Sequence, residues 1–130
     1  MKTTTLSMMM LLLCISISQA AINSDSSLLD KGLNKYKHGN FLGAIMDFDQ
    51  AVQNEPKNAK AYFNRGLAKV ELGDNEGALE DFSEALNLDH NYYEAYIKRG
   101  NTKLAMTDYQ GAKEDFSKAL IHNPKEAEAL

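Results

Sequence analysis

The chain has 130 residues, 14 of them basic and 18 acidic, for a formal net charge of −4, and 44% of it is hydrophobic. That length sets an upper bound of one small domain, and the mild acidity excludes the concentrated basic footprint that nucleic acid requires. A single cysteine, Cys14, excludes an internal disulfide framework.

Residues 1–20 read as a secretory signal peptide. Lys2 opens a short polar start, Leu6 to Ile17 is nearly unbroken apolar sequence, and Ser18-Gln19-Ala20 supplies small residues at a cut after Ala20. The apolar run is shorter than the roughly 20 residues a membrane-spanning helix needs. The expectation is an exported protein, periplasmic or secreted; an anchor left uncleaved is the alternative. Leu13 before Cys14 does not suit lipoprotein processing, so Cys14 reads as one more apolar residue of the signal. Cleavage removes it, and with it any thiol chemistry. Residues 21–24 form a short lead.

From residue 25 onward the sequence repeats with a period of 34. Gly32, Gly66 and Gly100 keep that spacing, as do Ala44, Ala78 and Ala112, then Phe48, Phe82 and Phe116, then Ala51, Ala85 and Ala119. Pro56 and Pro124 lie two periods apart, with His90 at the step between them. A fixed period of this length signals stacked repeats, which usually present a binding surface rather than a catalytic pocket. The units are 25–58, 59–92 and 93–126, and each predicts two helices. In the second, Ala61, Tyr62, Arg65, Gly66, Lys69 and Val70 fall on helical spacing. Gly73 then supplies a left-handed stop and Asp74 an oxygen cap for the next helix. Ala78, Leu79, Phe82, Ala85, Leu86 and Leu88 carry that helix to Asp89-His90. In the third unit Thr107 replaces the turn glycine, and its turn is expected to be looser or differently shaped.

The mid-helix glycines cost up to about 1 kcal/mol each relative to alanine. Their recurrence predicts close helix approach, with the phenylalanines as plugs and Ala44, Ala78 and Ala112 opposite. A periodic charge pattern accompanies them. Lys31/Lys35, Arg65/Lys69 and Arg99/Lys103 each sit four apart on a first helix. Asp47, Asp81 and Asp115 recur on the second helices. Pairing between the two is expected to fix helix register; the rival reading is a basic stripe for an acidic ligand.

The joint spacing of Gly32, Ala44, Phe48, Ala51 and Pro56 with their counterparts resembles the tetratricopeptide repeat family, over residues 25–130. Lys31, Arg65 and Arg99 depart from a position that is often leucine there, and Lys35, Lys69 and Lys103 from one often tyrosine. The resemblance implies an all-α right-handed solenoid of helix pairs, whose first helices line a concave groove. That face is expected to carry Leu29, Leu33 and Tyr36, then Phe63, Asn64, Leu67 and Val70, then Ile97, Lys98, Asn101 and Leu104. A leucine at helical spacing is core by default, so Asn64 and Lys98 are the more pointed candidates. The carboxylate clamp of some chaperone-binding members is largely missing: Asn64 matches, but Leu29, Leu33 and Glu94 do not, and Lys98 is a conservative change.

Residues 127–130 repeat the opening of a unit. Phe116, Ala119 and Leu120 on the last helix pair are therefore expected to leave a partly open apolar flank, an assembly face suited to self-association or docking; a shortened chain is the alternative. His38, His90 and His122 are far apart and show no metal spacing. There is no nucleophile–base constellation and no phosphate loop. The expected function is thus a non-enzymatic adaptor without cofactor or metal, holding a peptide or helix in the groove. The alternatives are an assembly subunit that uses its last helix pair, or a non-catalytic accessory of an enzyme.

Overall fold

A computed structural model describes residues 28–127. The expected signal, the lead, the first residues of unit one and residues 128–130 lie outside the described residues. The described chain is helical. Helix α1 covers residues 28–37. There follow α2 Phe41–Asn54, α3 Ala59–Glu71, α4 Asn75–Leu88, α5 Tyr93–Ala105, α6 Tyr109–His122 and a single turn, α7, Pro124–Ala127. Each helix from α2 to α6 packs on its neighbour in sequence, and α3 also touches α5. This is the pattern of a stack in which a repeat contacts only the repeats beside it.

The helix starts follow from side-chain caps. Asn40, Asp74 and Asp108 accept from the backbone N–H groups of Gly43, Gly77 and Gly111, each at 3.0 Å. Asn58 does the same for Ala61 at 3.3 Å, whereas Tyr92 at the head of α5 has no side-chain cap. Each such cap contributes about 1 kcal/mol. Pro56 ends no helix by itself, because α2 already stops at Asn54. Pro124 serves a second purpose: it follows α6 and opens α7 as its first residue, where proline's missing N–H is harmless.

The third turn corrects the expectation drawn from Thr107. Gly39 and Gly73 adopt φ of +76° and +80°, and Thr107 adopts +64°. Two closing hydrogen bonds are the same in all three, and the third turn adds one from Tyr109 N–H to Thr107 O at 3.1 Å. Gly39, Gly73 and Thr107 donate to Tyr36, Val70 and Leu104 at 2.9–3.0 Å, and Asn40, Asp74 and Asp108 donate to Lys35, Lys69 and Lys103 at 2.9 Å. Packing of α5 on α6 imposes the turn, and Thr107 carries the strain.

The recurring glycines and phenylalanines meet face to face. A Cβ on Gly32, Gly66 or Gly100 would stand 2.5, 2.7 or 2.7 Å from Cε1 of Phe48, Phe82 or Phe116. The Cδ1, Cε1 and Cζ atoms of each second-helix ring lie against the bare backbone of its first helix. Phe48, Phe82, Ala44, Ala78 and Ala112 are fully buried. The largest cluster joins Phe63, Phe82, Leu86, Ala95 and Tyr96 across the boundary between the second and third repeats. Phe63 packs on Phe82 and Tyr92, at ring-centroid distances of 5.8 and 4.7 Å. Burial there, with Glu94 and Asp89 nearby, pushes the Tyr92 phenol up to about 12.

Candidate functional site

Helices α1, α3 and α5 stand side by side, and a hollow of about 260 Å³ opens between them. Its wall comes from Tyr36, Leu67, Val70, Glu71, Lys98, Asn101 and Ala105, with Asn75 at the head of α4 closing one end and Phe82 and Thr102 beneath. Tyr36 is held by its edge-on contact with Phe41, at 5.3 Å, and its hydroxyl donates to Glu71 Oε1 at 3.4 Å. Burial first, then the Glu71 carboxylate, raises the Tyr36 phenol above its ordinary value, so it remains a donor at neutral pH. Leu67, Val70 and Phe82 make most of the surface apolar, and the Thr102 hydroxyl beneath is already donated to Lys98 O at 2.8 Å. The rim carries one anion, Glu71, and one cation, Lys98, so the hollow has no single-sign field. A larger hollow of about 460 Å³ lies against the Glu55–Asn58 loop; among the described residues that loop alone lines it.

The structure sorts the candidate groove residues into two groups. Tyr36, Leu67, Lys98 and Asn101 line the hollow together with Val70. Phe63 is only 8% exposed and belongs to the core, which removes it from the groove. Leu29 and Leu33 are half-buried and pack against the Ala44–Phe48–Ala68 cluster, and Ile97 packs against the central cluster. Asn64 is half-buried and its amide donates to Lys60 O, one turn back in its own helix, at 2.8 Å. Leu104 is 42% exposed on α5. Sequence reasoning missed Thr102, buried beneath the hollow, and Glu71, Asn75 and Ala105. The last three sit at helix ends, where apolar periodicity carries no information.

The charge ladder forms between the helices of each repeat. Arg65 donates Nε and Nη2 to Asp81 at 3.0 and 2.6 Å, and Lys69 adds a contact at 2.9 Å. Arg99 and Lys103 repeat this on Asp115 at 2.9, 2.7 and 2.9 Å. Asp81 is 3% and Asp115 1% exposed. Burial by itself would raise the Asp115 carboxyl; hydrogen bonds from Arg99 and Lys103 outweigh it and hold that carboxyl below the usual range. These basic side chains are committed to carboxylates within the stack, which favours the structural reading over a ligand stripe. The first repeat differs. Lys35 lies 2.8 Å from Asp47, at an angle that leaves Oδ2 without a well-directed hydrogen bond. Lys31 is exposed and forms none of the described pairs with Asp47. Lysine has no planar fork to share between two carboxylate oxygens, so the expected three-way arrangement reduces to one contact.

A second function of the arginines was not visible from the ladder alone. Arg65 Nη1 also donates to Asp49 of the preceding repeat at 2.8 Å, and Arg99 Nη1 donates to Ser83 of the preceding repeat at 3.0 Å. Asp49 and Ser83 are one period apart, so the signal was present as a recurring polar residue sixteen positions before each arginine.

On the last helix pair, Ala119 is 5% exposed and joins the central cluster, while Leu120 is 43% exposed and Phe116 is half-buried. His122 stacks on Tyr96 at 5.8 Å and 6° between ring planes. Among the described residues no group of three His, Cys, Asp or Glu side chains is placed to hold a metal ion. No described helix is long and apolar enough to cross a membrane.

Sequence models described as the tetratricopeptide repeat match residues 29–93 and 93–121. Similar solved structures include the Arabidopsis OM64 TPR domain, at 28% identity and TM-score 0.78, covering 81% of this chain and 87% of that one. The first TPR of Spaghetti (RPAP3), bound to the HSP90 peptide SRMEEVD, is 28% identical with TM-score 0.76, covering 78% and 80%. The second TPR domain of human RPAP3, in complex with the HSP70 peptide SGPTIEEVD, is 27% identical with TM-score 0.77, covering 81% and 88%. No curated protein matches in sequence.

Proposed function

Because the chain belongs to the tetratricopeptide repeat family, we propose that it is a protein-interaction module and that its ligand is a peptide segment laid across α1, α3 and α5. The observation that carries this is the hollow between Tyr36 and Lys98. It has a mostly apolar floor large enough for one side chain, and donors and acceptors on its rim can fix a backbone. Two of the similar structures hold chaperone peptides that end in Glu-Glu-Val-Asp. The chemistry here differs. Leu29 and Leu33 support the core, and Glu94 is exposed where a cation would receive a carboxylate. The preferred ligand is therefore a largely apolar segment, not an acidic chain terminus. The reading assigns no catalytic step to the chain.

A displayed peptide library selected on residues 21–130, followed by calorimetry, tests this. Selected peptides should share an apolar anchor, and Leu67→Lys or Lys98→Ala should weaken them at least tenfold in variants that circular dichroism shows to be folded. The peptide SRMEEVD should bind far more weakly. Equal affinity for that acidic peptide, or indifference to both substitutions, would refute the reading.

Export remains part of the proposal, resting on residues 1–20. Mass spectrometry of the protein from its source should find Ala21 at the mature N-terminus.

A further inference from the structure

The hollow between α1, α3 and α5 lies where two ring positions change along the repeat. In the first unit those positions are Tyr36 and Phe41. Their rings meet at 5.3 Å and 64°, and both pack on the cluster around Phe48. One period later the same positions hold Val70 and Asn75, with Phe82 in the place of Phe48. An isopropyl group and a carboxamide thus stand where the first unit has two rings. Both of them line the hollow of about 260 Å³, and Phe82 lies beneath it. Side chains that small do not fill a space that two rings fill.

The surroundings suit a ring. Tyr36 lines the hollow while keeping its edge-on contact with Phe41, so an incoming ring would extend an aromatic row. Lys98 on the rim is exposed and takes part in none of the described ion pairs, which leaves its ammonium free to lie over a ring face. The side-chain amides of Asn75 and Asn101 have no hydrogen-bond partner among the described residues. They can hold a ligand backbone or a phenol hydroxyl.

We propose that the hollow is a seat for one aromatic side chain, phenylalanine or tyrosine, carried by a peptide segment of a partner protein. This rests on the groove reading and narrows the anchor from apolar to aromatic. The argument is complementarity: the first unit shows which groups fill this place when it is closed, and the second unit lacks them. Residues 1–27 and 128–130, outside the described range, contain no Phe, Tyr or Trp, so they do not supply the ring.

The probes are random displayed peptides selected on the chain. Phe or Tyr should recur at one position of the selected peptides. Changing it to Leu should weaken binding about fivefold by calorimetry, the size of one aromatic pair. Val70→Tyr combined with Asn75→Phe rebuilds the first unit's ring pair inside the hollow. That variant should bind the same peptides at least tenfold more weakly with no fall in Tm. Tyr36→Leu is the check should the filled variant fold poorly. It leaves the hollow open, and it should cut the preference for Phe over Leu at least twofold whatever it does to stability. Peptides anchored by aliphatic residues, undiminished binding to the folded filled variant, or a preference untouched by Tyr36→Leu would overturn the proposal. So would concentration-dependent sedimentation abolished by Tyr109→Ala, which would seat the 68% exposed Tyr109 of a second copy in the hollow. Aliphatic anchors that are still lost with Leu67→Lys would leave the groove reading standing; selection of no peptide at all would end both.

Discussion

Replacing Thr107 by glycine should stabilise the protein without adding a contact. Thr107 is exposed and holds φ at +64° in a turn whose two closing hydrogen bonds match those at Gly39 and Gly73. An L-residue in the left-handed region costs roughly 1–2 kcal/mol, and a β-branched one is an outlier there. Glycine returns about 0.5–1 kcal/mol of that through the greater freedom of its unfolded chain. The net gain is about 1 kcal/mol, which for a domain of this size raises Tm by roughly 4–8 °C. Urea unfolding followed by circular dichroism reads it as a higher midpoint at constant slope. Gly73→Ala, with φ of +80° and open space around the would-be Cβ, is the mirror control and should lose about 1 kcal/mol. An unchanged or lower midpoint for Thr107→Gly would refute the claim that the turn is imposed on Thr107.

Asp81→Ala should cost about 3 kcal/mol, because Lys69 and the two Arg65 donors on Asp81 lose their carboxylate at side chains only 19% and 17% exposed, leaving Arg65 with Asp49 and Lys69 with a long contact to Gly77 O. Asp47→Ala should cost far less, since its lysine is 41% exposed; equal losses in urea melts would contradict the ladder as described. Gly66→Ala should destabilise by about 1–2 kcal/mol despite alanine's better helix propensity, because the methyl would stand 2.7 Å from a fully buried Phe82 ring; a gain in Tm would count against the close approach. The Asp115 carboxyl is held below its unfolded value, so its contribution is fully present above about pH 4 and is lost as pH falls through the folded value. Asp115→Asn should flatten the acid side of a stability–pH profile, and an unchanged slope would show that Asp115 does not carry it.

Most of the architecture was legible in the sequence, because in a stacked repeat each unit meets only its neighbours. A local period therefore becomes a spatial one. Arg65 and Lys69 opposite Asp81 followed from phase alone; that the Phe82 ring, rather than the opposing alanine, lies nearest to Gly66 did not. The groove was read less well, for a physical reason. A residue of a first helix can turn toward the hollow or toward the adjoining helix within a few tens of degrees, and periodicity does not resolve that angle. Phe63 went to the core and Tyr36 to the hollow, although both are aromatic residues on a first helix.

The sequence by itself determined the helix pairs, the cap at Asp74, and the charged rungs of the second and third repeats, since these depend on spacings of three, four and thirty-four along one chain. Only the tertiary structure decided what crosses from one repeat to the next. It brought Arg65 to Asp49 and Arg99 to Ser83. It gathered Glu71, Asn75 and Ala105 around one hollow, and it forced Thr107 into a glycine's conformation. Those outcomes depend on how far apart neighbouring helices settle once the phenylalanine rings seat on the glycines, and packing sets that distance.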